Sequence, residues 1–583
     1  MVEAADTIET ALDISCSSSE NLILDDFRRL TGPGFLWSHV GANLDVLCPT
    51  ADLDEVIKVW QQQARRVLDA IGWHSEQIID RRFEGGANLA VSAPMDQLYS
   101  AMFACQTAWH FASAQLLNQT ANNFDIMIND LRNVMVREAN PALITLITVA
   151  KKHGIDVLCD DDHLSLGHGE GSQTWSVFDL PKPTEVNWHS LHDIPVALIT
   201  GTNGKTTSTR LCSAIGAAAG LIAGITSTEF VRVGDDILDY GDYSGPGGAR
   251  MLLRDKRLQV AFLEVARGGI LRRGLPLRQA QAALVTNVAA DHLGQYGVNT
   301  VEELAVAKFS VHRTLAANGV LVLNADDEYV RAEVTRTQAI LCWFSLNPAH
   351  PLITQAKTKG HTCAWQEGDH LVYFDGTKAY PVVNVKDIPI SMGGAADYNI
   401  RNALGALCLA KVMNIDNKAI ALGLCNFKND AKDNPGRCNE FAIKGARVFV
   451  DFAHNPHSIS AVTDAMAGVP AKRRFIMISH AGDRSDQDIL DATQSALALN
   501  PDFLMAAELP QYLRGRELGE TLRLTHQQAI KHGLKTHQLL VAEGPAAGTK
   551  QILSQLQEGD LALLLVLSER DQVFAMLDPA LTH

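Results

Sequence analysis

A short glycine turn, Gly201-Thr202-Asn203-Gly204-Lys205-Thr206-Thr207, limits what this chain can fold into more than any other stretch. The apolar run 194–199 enters it, and Leu211, Ile215 and a set of small alanines leave it in a helix-compatible pattern. Strand, turn and helix N-terminus together make an anion site. The backbone N–H groups of the turn and first helical turn point at one spot, and the helix dipole favours negative charge there. Lys205 adds a point cation suited to β/γ-phosphates, and Thr206 a hydroxyl ligand suited to Mg2+. The spacing Gly-x-x-Gly-Lys-Thr is shorter than that of the general phosphate loop, so a tighter turn is expected. The stretch reads as a nucleotide site.

At 583 residues the chain exceeds one hydrophobic core, and roughly two to four domains are expected. An apolar content of 46% and a charged content of 20% belong to an ordinary soluble globular protein. Acidic residues outnumber basic ones, 66 to 50, which disfavours a nucleic-acid partner. Ten cysteines run from Cys16 to Cys438 without a Cys-x-x-Cys pair, which suits reduced cytosolic thiols better than disulfides or a zinc site. Residues 1–19 are acidic and carry no basic-then-apolar targeting signal. The longest apolar run, 561–567, is too short to span a bilayer and reads as a buried strand. A multi-domain cytosolic α/β protein, with no membrane and no nucleic-acid partner, is the expectation.

Along the chain, residues 1–20 read as a flexible tail. A compact domain follows, over 21–158. There Val56, Trp60, Ala64, Val67 and Ile71 share a helical face that Gly72 ends. Pro94 opens a second helix striped by Leu98, Met102, Cys105, Trp109, Ala112 and Leu116, and Asn140-Pro141 caps a third. Residues 159–192 form a polar, glycine-rich connector. Its aspartates with His163 and His168 could ligate a metal, but a solvated linker explains them. From 193 to 432, apolar strands (260–264, 283–286, 319–323) alternate with helices, the pattern of a mostly parallel sheet. A second α/β unit spans 433–583, with strands at 447–450, 475–478 and 561–567.

In such sheets ligands gather at the carboxyl ends of strands. Glu264 ends one strand, and Thr286-Asn287-Val-Ala-Ala-Asp291-His292 ends another. Mg2+ prefers hard oxygen ligands, so Glu264 is a credible one, whereas an imidazole is a less usual ligand and His292 alone reads as a structural hydrogen-bonder. Lys308, taken alone, reads as part of a solvated helix face. Arg437 could neutralise charge on a phosphoryl group in transfer. Asp451 and Asn455 could hydrogen-bond ribose or adenine, although a turn explains Asn-Pro equally well.

In order, these pieces resemble the Mur ligase family. Its hallmark is the Gly201–Thr207 turn, a strand glutamate, Thr-Asn-x-x-x-Asp-His, a Gly-Arg and Asp-(Tyr/Phe)-Ala-His-Asn-Pro, here Asp451-Phe-Ala-His454-Asn455-Pro. The resemblance implies an N-terminal α+β domain, a central P-loop ATPase domain with a mostly parallel sheet, and a Rossmann-like C-terminal α/β domain closing over it. It implies ATP and Mg2+, with Gly201, Thr202, Asn203, Gly204, Lys205, Thr206 and Thr207 on phosphate. Thr206, Glu264, His292 and Lys308 would serve the metals, with Lys308 where many members carry a carbamylated lysine. Asn287, Asp451, His454 and Asn455 would lie near the nucleoside, and Lys205, His292, Lys308 and Arg437 would be catalytic. Many members have His-Asn where this chain reads Asp397-Tyr-Asn399, which leaves Asn399 as the expected ATP contact.

Within the family, Asp242-Tyr-Ser244-Gly-Pro-Gly-Gly-Ala-Arg250, Glu264-Val-Ala-Arg267-Gly-Gly and Leu513-Arg514-Gly-Arg-Glu resemble the Mur-type half of cyanophycin synthetases. Phe83-Glu-Gly-Gly-Ala-Asn-Leu89 carries a weaker likeness to the N-terminal domain of those enzymes. They hold an ATP-grasp domain between these parts. Here only about 40 residues separate Lys152 from Ile194, too few for such a unit. The expected activity is therefore an ADP-forming amide ligase joining arginine or lysine to an aspartyl side chain, without polymerising the backbone. Arg250 and Arg267 are expected to grip the acyl substrate's carboxylates by bidentate pairing. Ser244, Asp483 and Arg514 are further substrate candidates. A ligase of the same chemistry on a peptidoglycan precursor or a folate is the alternative, as is a non-catalytic partner of an intact synthetase. A homo-oligomer is expected, since the first domain shows no site of its own.

Overall fold

The computed structural model describes residues 5–578. In the first domain an antiparallel sheet orders its strands Ile23–Leu30, Gly41–Leu47, Gly86–Ser92 and Ile78–Phe83. Helix Leu53–Ala70 is capped by the Asp52 side chain on two backbone N–H groups and buries Val56, Trp60, Ala64 and Val67. Helix Leu98–Leu116 is covered on nearly every side, so its aromatics are core, with Trp109 fully buried beside Trp60. The expected tail is a correction for residues 5–20. Ala5–Glu9 is helical, and Ile8 inserts into this same core with Leu12, Ile14 and Cys16 packed behind it. Residues 1–4 of that expectation lie outside the described residues.

The connector is the second correction. Strands Val157–Cys159, His163–Leu166 and Gln173–Ser176 make a small antiparallel sheet packed on helix Pro141–Lys152, with Leu146, Leu164 and Leu166 buried between them. Its glycines serve close packing: a Cβ on Gly171 would stand 2.3 Å from the His192 carbonyl oxygen. His168 is fully buried, its ring between Asp156 and Asp193, instead of solvated.

The central sheet has eleven strands. Its middle is parallel, in the order Ala223–Thr226, Val260–Glu264, Val196–Thr200, Ala280–Val285, Leu315–Asn324, Ile340–Ser345 and Cys363–Glu367, with antiparallel strands at both ends. Both faces are covered by helices, which is why these strands read as continuous apolar runs. This order sets the C-terminal ends of Val260–Glu264, Val196–Thr200 and Ala280–Val285 side by side. The C-terminal domain has a six-stranded sheet, parallel except for Asn439–Ile443 at one edge, with a hydrophobic core on each face. Among the described residues no helix is long and apolar enough to cross a membrane.

Candidate nucleotide and metal site

The glycine turn sits between strand Val196–Thr200 and helix Lys205–Ala218. Gly204 has φ +84°, and a Cβ there would lie 2.2 Å from Asn402 Oδ1; one on Gly201 would lie 1.9 Å from Thr286 Oγ1. Only glycine lets the loop lie this close to its neighbours. Asn287 clamps the turn from the adjacent strand end: its Oδ1 accepts from the Asn203 N–H at 2.9 Å, and its Nδ2 donates to the Asn203 carbonyl at 2.9 Å.

The loop opens into a cavity of about 380 Å³. Thr202 through Thr207, Glu264 and Asn287 line it from the central domain, and Arg437, Asp451 and His454 from the C-terminal domain. Lys205 Nζ donates to the Thr202 carbonyl at 3.0 Å, folding the ammonium over the turn. Thr206 Oγ1 donates to Glu264 Oε2 at 2.9 Å, while the buried Glu264 Oε1 has no hydrogen-bond partner. Burial pushes the Glu264 carboxyl above its ordinary range, against the pull of Lys205 and Thr206. An orphaned carboxylate oxygen beside a threonine hydroxyl is a hard-oxygen donor set that fits a divalent cation such as Mg2+.

Other expected positions sort differently. Lys308 is buried and donates from Nζ to the Gly201 carbonyl at 2.8 Å; burial, aided by Lys205, holds its ammonium well below the usual lysine range. His292, with a left-handed φ of +50°, joins Asp291 and His454 in a cluster of ligand-type atoms. Asn455 caps helix Pro456–Ala467 and exchanges side-chain hydrogen bonds with Asn203 across the domain boundary. Asn399 is the clearest departure from expectation. It is buried, donates to the Ile390 carbonyl at 2.9 Å, and leaves the cavity to Tyr398, Arg401 and Asn402. Tyr398, Arg401 and Asn402, spaced three and four apart, share the helical face that lines the cavity, and Asn402 Nδ2 donates to Asn399 Oδ1 at 3.2 Å.

The substrate candidates do not converge. Ser244 Oγ donates to Asp242 at 2.6 Å and stands near Glu264. Arg267 donates to the His292 carbonyl and to Gln295, so it braces the loop that carries Asp291 and His292. Arg514 pairs with Asp483 in the C-terminal domain. Arg250 lines a different cavity, facing the first domain, and contacts Asp160 at 3.7 Å, apart from the cavity of the glycine turn.

Two interdomain links escaped sequence reasoning. Arg484 pairs with Asp291 at 3.0 Å, and Glu229 joins Arg210 and Arg570, each at 3.0 Å. Nothing in a linear sequence pairs residues so far apart. Burial pushes Asp291 up, but His454, His292, Arg484 and Lys205 outweigh it and hold the carboxyl at about 2. Burial also takes His292 down to about 4, so at pH 7 the cation in direct contact with Asp291 is Arg484, with Lys205 acting from farther off. Arg484→Ala then strands a buried carboxylate and should lower unfolding stability by about 2–4 kcal/mol. In urea titrations at pH 7 the double variant with Asp291→Asn should recover most of that loss.

Asp451 behaves oppositely. Burial raises its carboxyl to about 6, against the pull of Arg437 and the Ala453 N–H. The folded form therefore holds its proton more tightly than the unfolded chain. The cost of ionising it is absent below about pH 4, grows between pH 4 and 6, and is complete above pH 6. Asp451→Asn should raise the melting temperature of the nucleotide-free protein at pH 7.5 and leave it unchanged at pH 3.5.

Residues 199–410 match the family model for the Mur ligase middle domain, and residues 436–565 that for the Mur ligase glutamate ligase domain. A cyanophycin synthetase of Trichormus variabilis is 36% identical over 349 residues, 60% of this chain and 38% of that protein. The chain thus matches well under half the length of that relative. A UDP-N-acetylmuramate–L-alanine ligase of Stenotrophomonas maltophilia is 27% identical over 373 residues, 63% of this chain and 70% of that one. Among solved structures, E. coli FolC in complex with DHPP and ADP is 18% identical, with a TM-score of 0.49, over 66% of this chain and 87% of that one. With both domain models placed on the two domains that enclose the glycine turn, Glu264 and Arg437, the chain belongs to the Mur ligase family.

Proposed function

We propose that this protein is an ADP-forming ligase that joins arginine or lysine to an aspartyl side-chain carboxylate through an acyl phosphate. The observation that carries the reading is the single cavity in which Lys205, Thr206 and the orphaned Glu264 oxygen face Arg437 from the opposing domain. A substrate carboxylate oxygen attacks the γ-phosphorus of ATP; the bond to the bridging oxygen breaks and ADP departs. The amine nitrogen then attacks the acyl carbon, the amine proton is lost, and inorganic phosphate leaves. The loop N–H groups and Lys205 hold the phosphates in line, and Arg437 offers a guanidinium to the charge in transfer. A divalent cation such as Mg2+, held by Thr206 and Glu264, would supply further neutralisation of phosphate charge. The C-terminal domain, linked through Asn203–Asn455, Asp291–Arg484 and Glu229–Arg570, excludes water from the intermediate.

The resemblance to cyanophycin synthetases supports the aspartyl and arginine or lysine assignment. The small connector sheet, in place of an ATP-grasp unit, supports a reaction confined to side-chain amidation. The test is ATP-dependent phosphate release across a matrix of free aspartate, short aspartate oligomers and precursor nucleotides against each amino acid, with products read by mass. Turnover only when an aspartyl substrate meets arginine or lysine is the expected result. Turnover on a precursor nucleotide instead would move the substrate assignment, and no turnover despite tight ATP binding would sink the enzymatic reading.

A further inference from the structure

A second cavity, of about 330 Å³, lies where the first domain, the connector sheet and the central-domain helix Pro246–Leu253 meet. That volume is within the range of small-molecule sites, roughly 300–1,000 Å³. Its lining mixes three arginines, Arg29, Arg250 and Arg273, with four carboxylates, and the pairing among them is uneven.

Every carboxylate is already engaged. Asp161 takes both guanidinium nitrogens of Arg29, at 2.7 and 3.1 Å, and the Tyr99 hydroxyl. Asp160 accepts from Arg254 at 2.6 Å and from the N–H groups of Asp162 and His163. Asp96 accepts from the Asn140 N–H, and Glu138 from the Tyr99 and Ser100 N–H groups and the Ser100 hydroxyl. Two of the arginines are not so satisfied. Among the described residues Arg250 has only its 3.7 Å contact with an Asp160 already held by Arg254, and its buried Nε has no hydrogen-bond partner. The Arg273 guanidinium has no hydrogen bond or ion pair among the described residues, and both burial and the neighbouring Arg29 press against its charge. Unpaired, half-buried cations beside a cavity are costly unless an anion meets them. Leu98, Leu143, Val177 and the ring of Tyr99 offer apolar contact for a short stem.

We propose that this cavity is a second binding site, separate from the nucleotide site, that receives the carboxylate of an amino-acid-sized ligand on Arg250 and Arg273. The site does not depend on the ligase reading, because its residues come from the junction of the first domain rather than from the glycine turn. Guanidinium groups suit it, since each can donate two parallel hydrogen bonds to one carboxylate.

Isothermal titration of the full chain with succinate tests this, with the neutral isostere succinamide as the control. Wild type should bind succinate and not succinamide. Arg273→Ala, at a partly exposed position, should weaken succinate binding about tenfold or more while leaving the melting temperature and ATP binding unchanged. Lys205→Ala should leave succinate binding as it is. Absence of succinate binding, equal binding of succinamide, indifference to Arg273→Ala, or loss of binding in Lys205→Ala would each overturn the proposal; the last would assign the ligand to the nucleotide cavity.

Discussion

Lys205→Ala is expected to reduce ATP-dependent phosphate release by about 10²–10³-fold, with a much smaller effect on nucleotide affinity. The backbone N–H groups of the turn, held by Asn287 on both sides of Asn203, remain in place when the side chain is removed. What disappears is the ammonium that lines the cavity side of the loop, now resting on the Thr202 carbonyl and free to exchange that neutral acceptor for a phosphate. Its contribution grows as charge builds on the transferring oxygens, so the loss falls on the chemical step. The stability effect should be small, about 1 kcal/mol for a single hydrogen bond. Phosphate release and fluorescent-nucleotide binding, measured on the same preparation, separate the two effects. A drop in release of less than about tenfold would remove Lys205 from the reacting phosphates.

Glu264→Gln should move activity and stability in opposite directions. The carboxylate is buried, one oxygen is unpartnered, and burial lifts its proton affinity above that of an exposed glutamate. The folded state thus favours the protonated form. Ionised Glu264 costs stability that is absent below the unfolded-state value and fully present above the raised folded one. Glutamine keeps the shape and still accepts from the Thr206 hydroxyl. The nucleotide-free variant should therefore melt higher than wild type at pH 8 and equally at acid pH. Phosphate release should nevertheless fall by about 10²-fold or more, because the anionic donor for a divalent cation is gone. Titration of release against Mg2+ should show the loss as a shift to higher metal concentration. A variant that lost both stability and activity would make Glu264 a structural anchor instead.

These opposite signs show what kind of information each level held. The glycine turn, Glu264 and Asn287 were legible as a site because each follows an apolar strand run, and parallel sheets collect ligands at strand ends. Their mutual contact depended on strand order, which sets Val260–Glu264 and Ala280–Val285 on either side of Val196–Thr200. Asn399 misled because its sequence register gives no helical phase: one turn on, Asn402 faces the cavity while Asn399 turns to Ile390. The connector's exposed Asp161, Asp162 and His163 fit a solvated reading, but its glycines misled because glycine is read as solvent-facing. Here they pack a small sheet in which Gly171 lies against His192 and His168 is enclosed.

By itself the sequence determined the local features: a glycine turn between strand and helix, a strand-end carboxylate, two α/β units and the helical faces of the first domain. Those follow from short-range spacing, which backbone geometry converts directly into position. Only the tertiary structure decided which charges meet. Arg484 closes on Asp291, Glu229 bridges Arg210 and Arg570, and Arg250 lines a cavity shared with Arg273. The Asp291–Arg484 and Glu229–Arg570 pairs join residues from separate domains. They are set by how whole sheets and helices dock, and no periodicity within one segment encodes that.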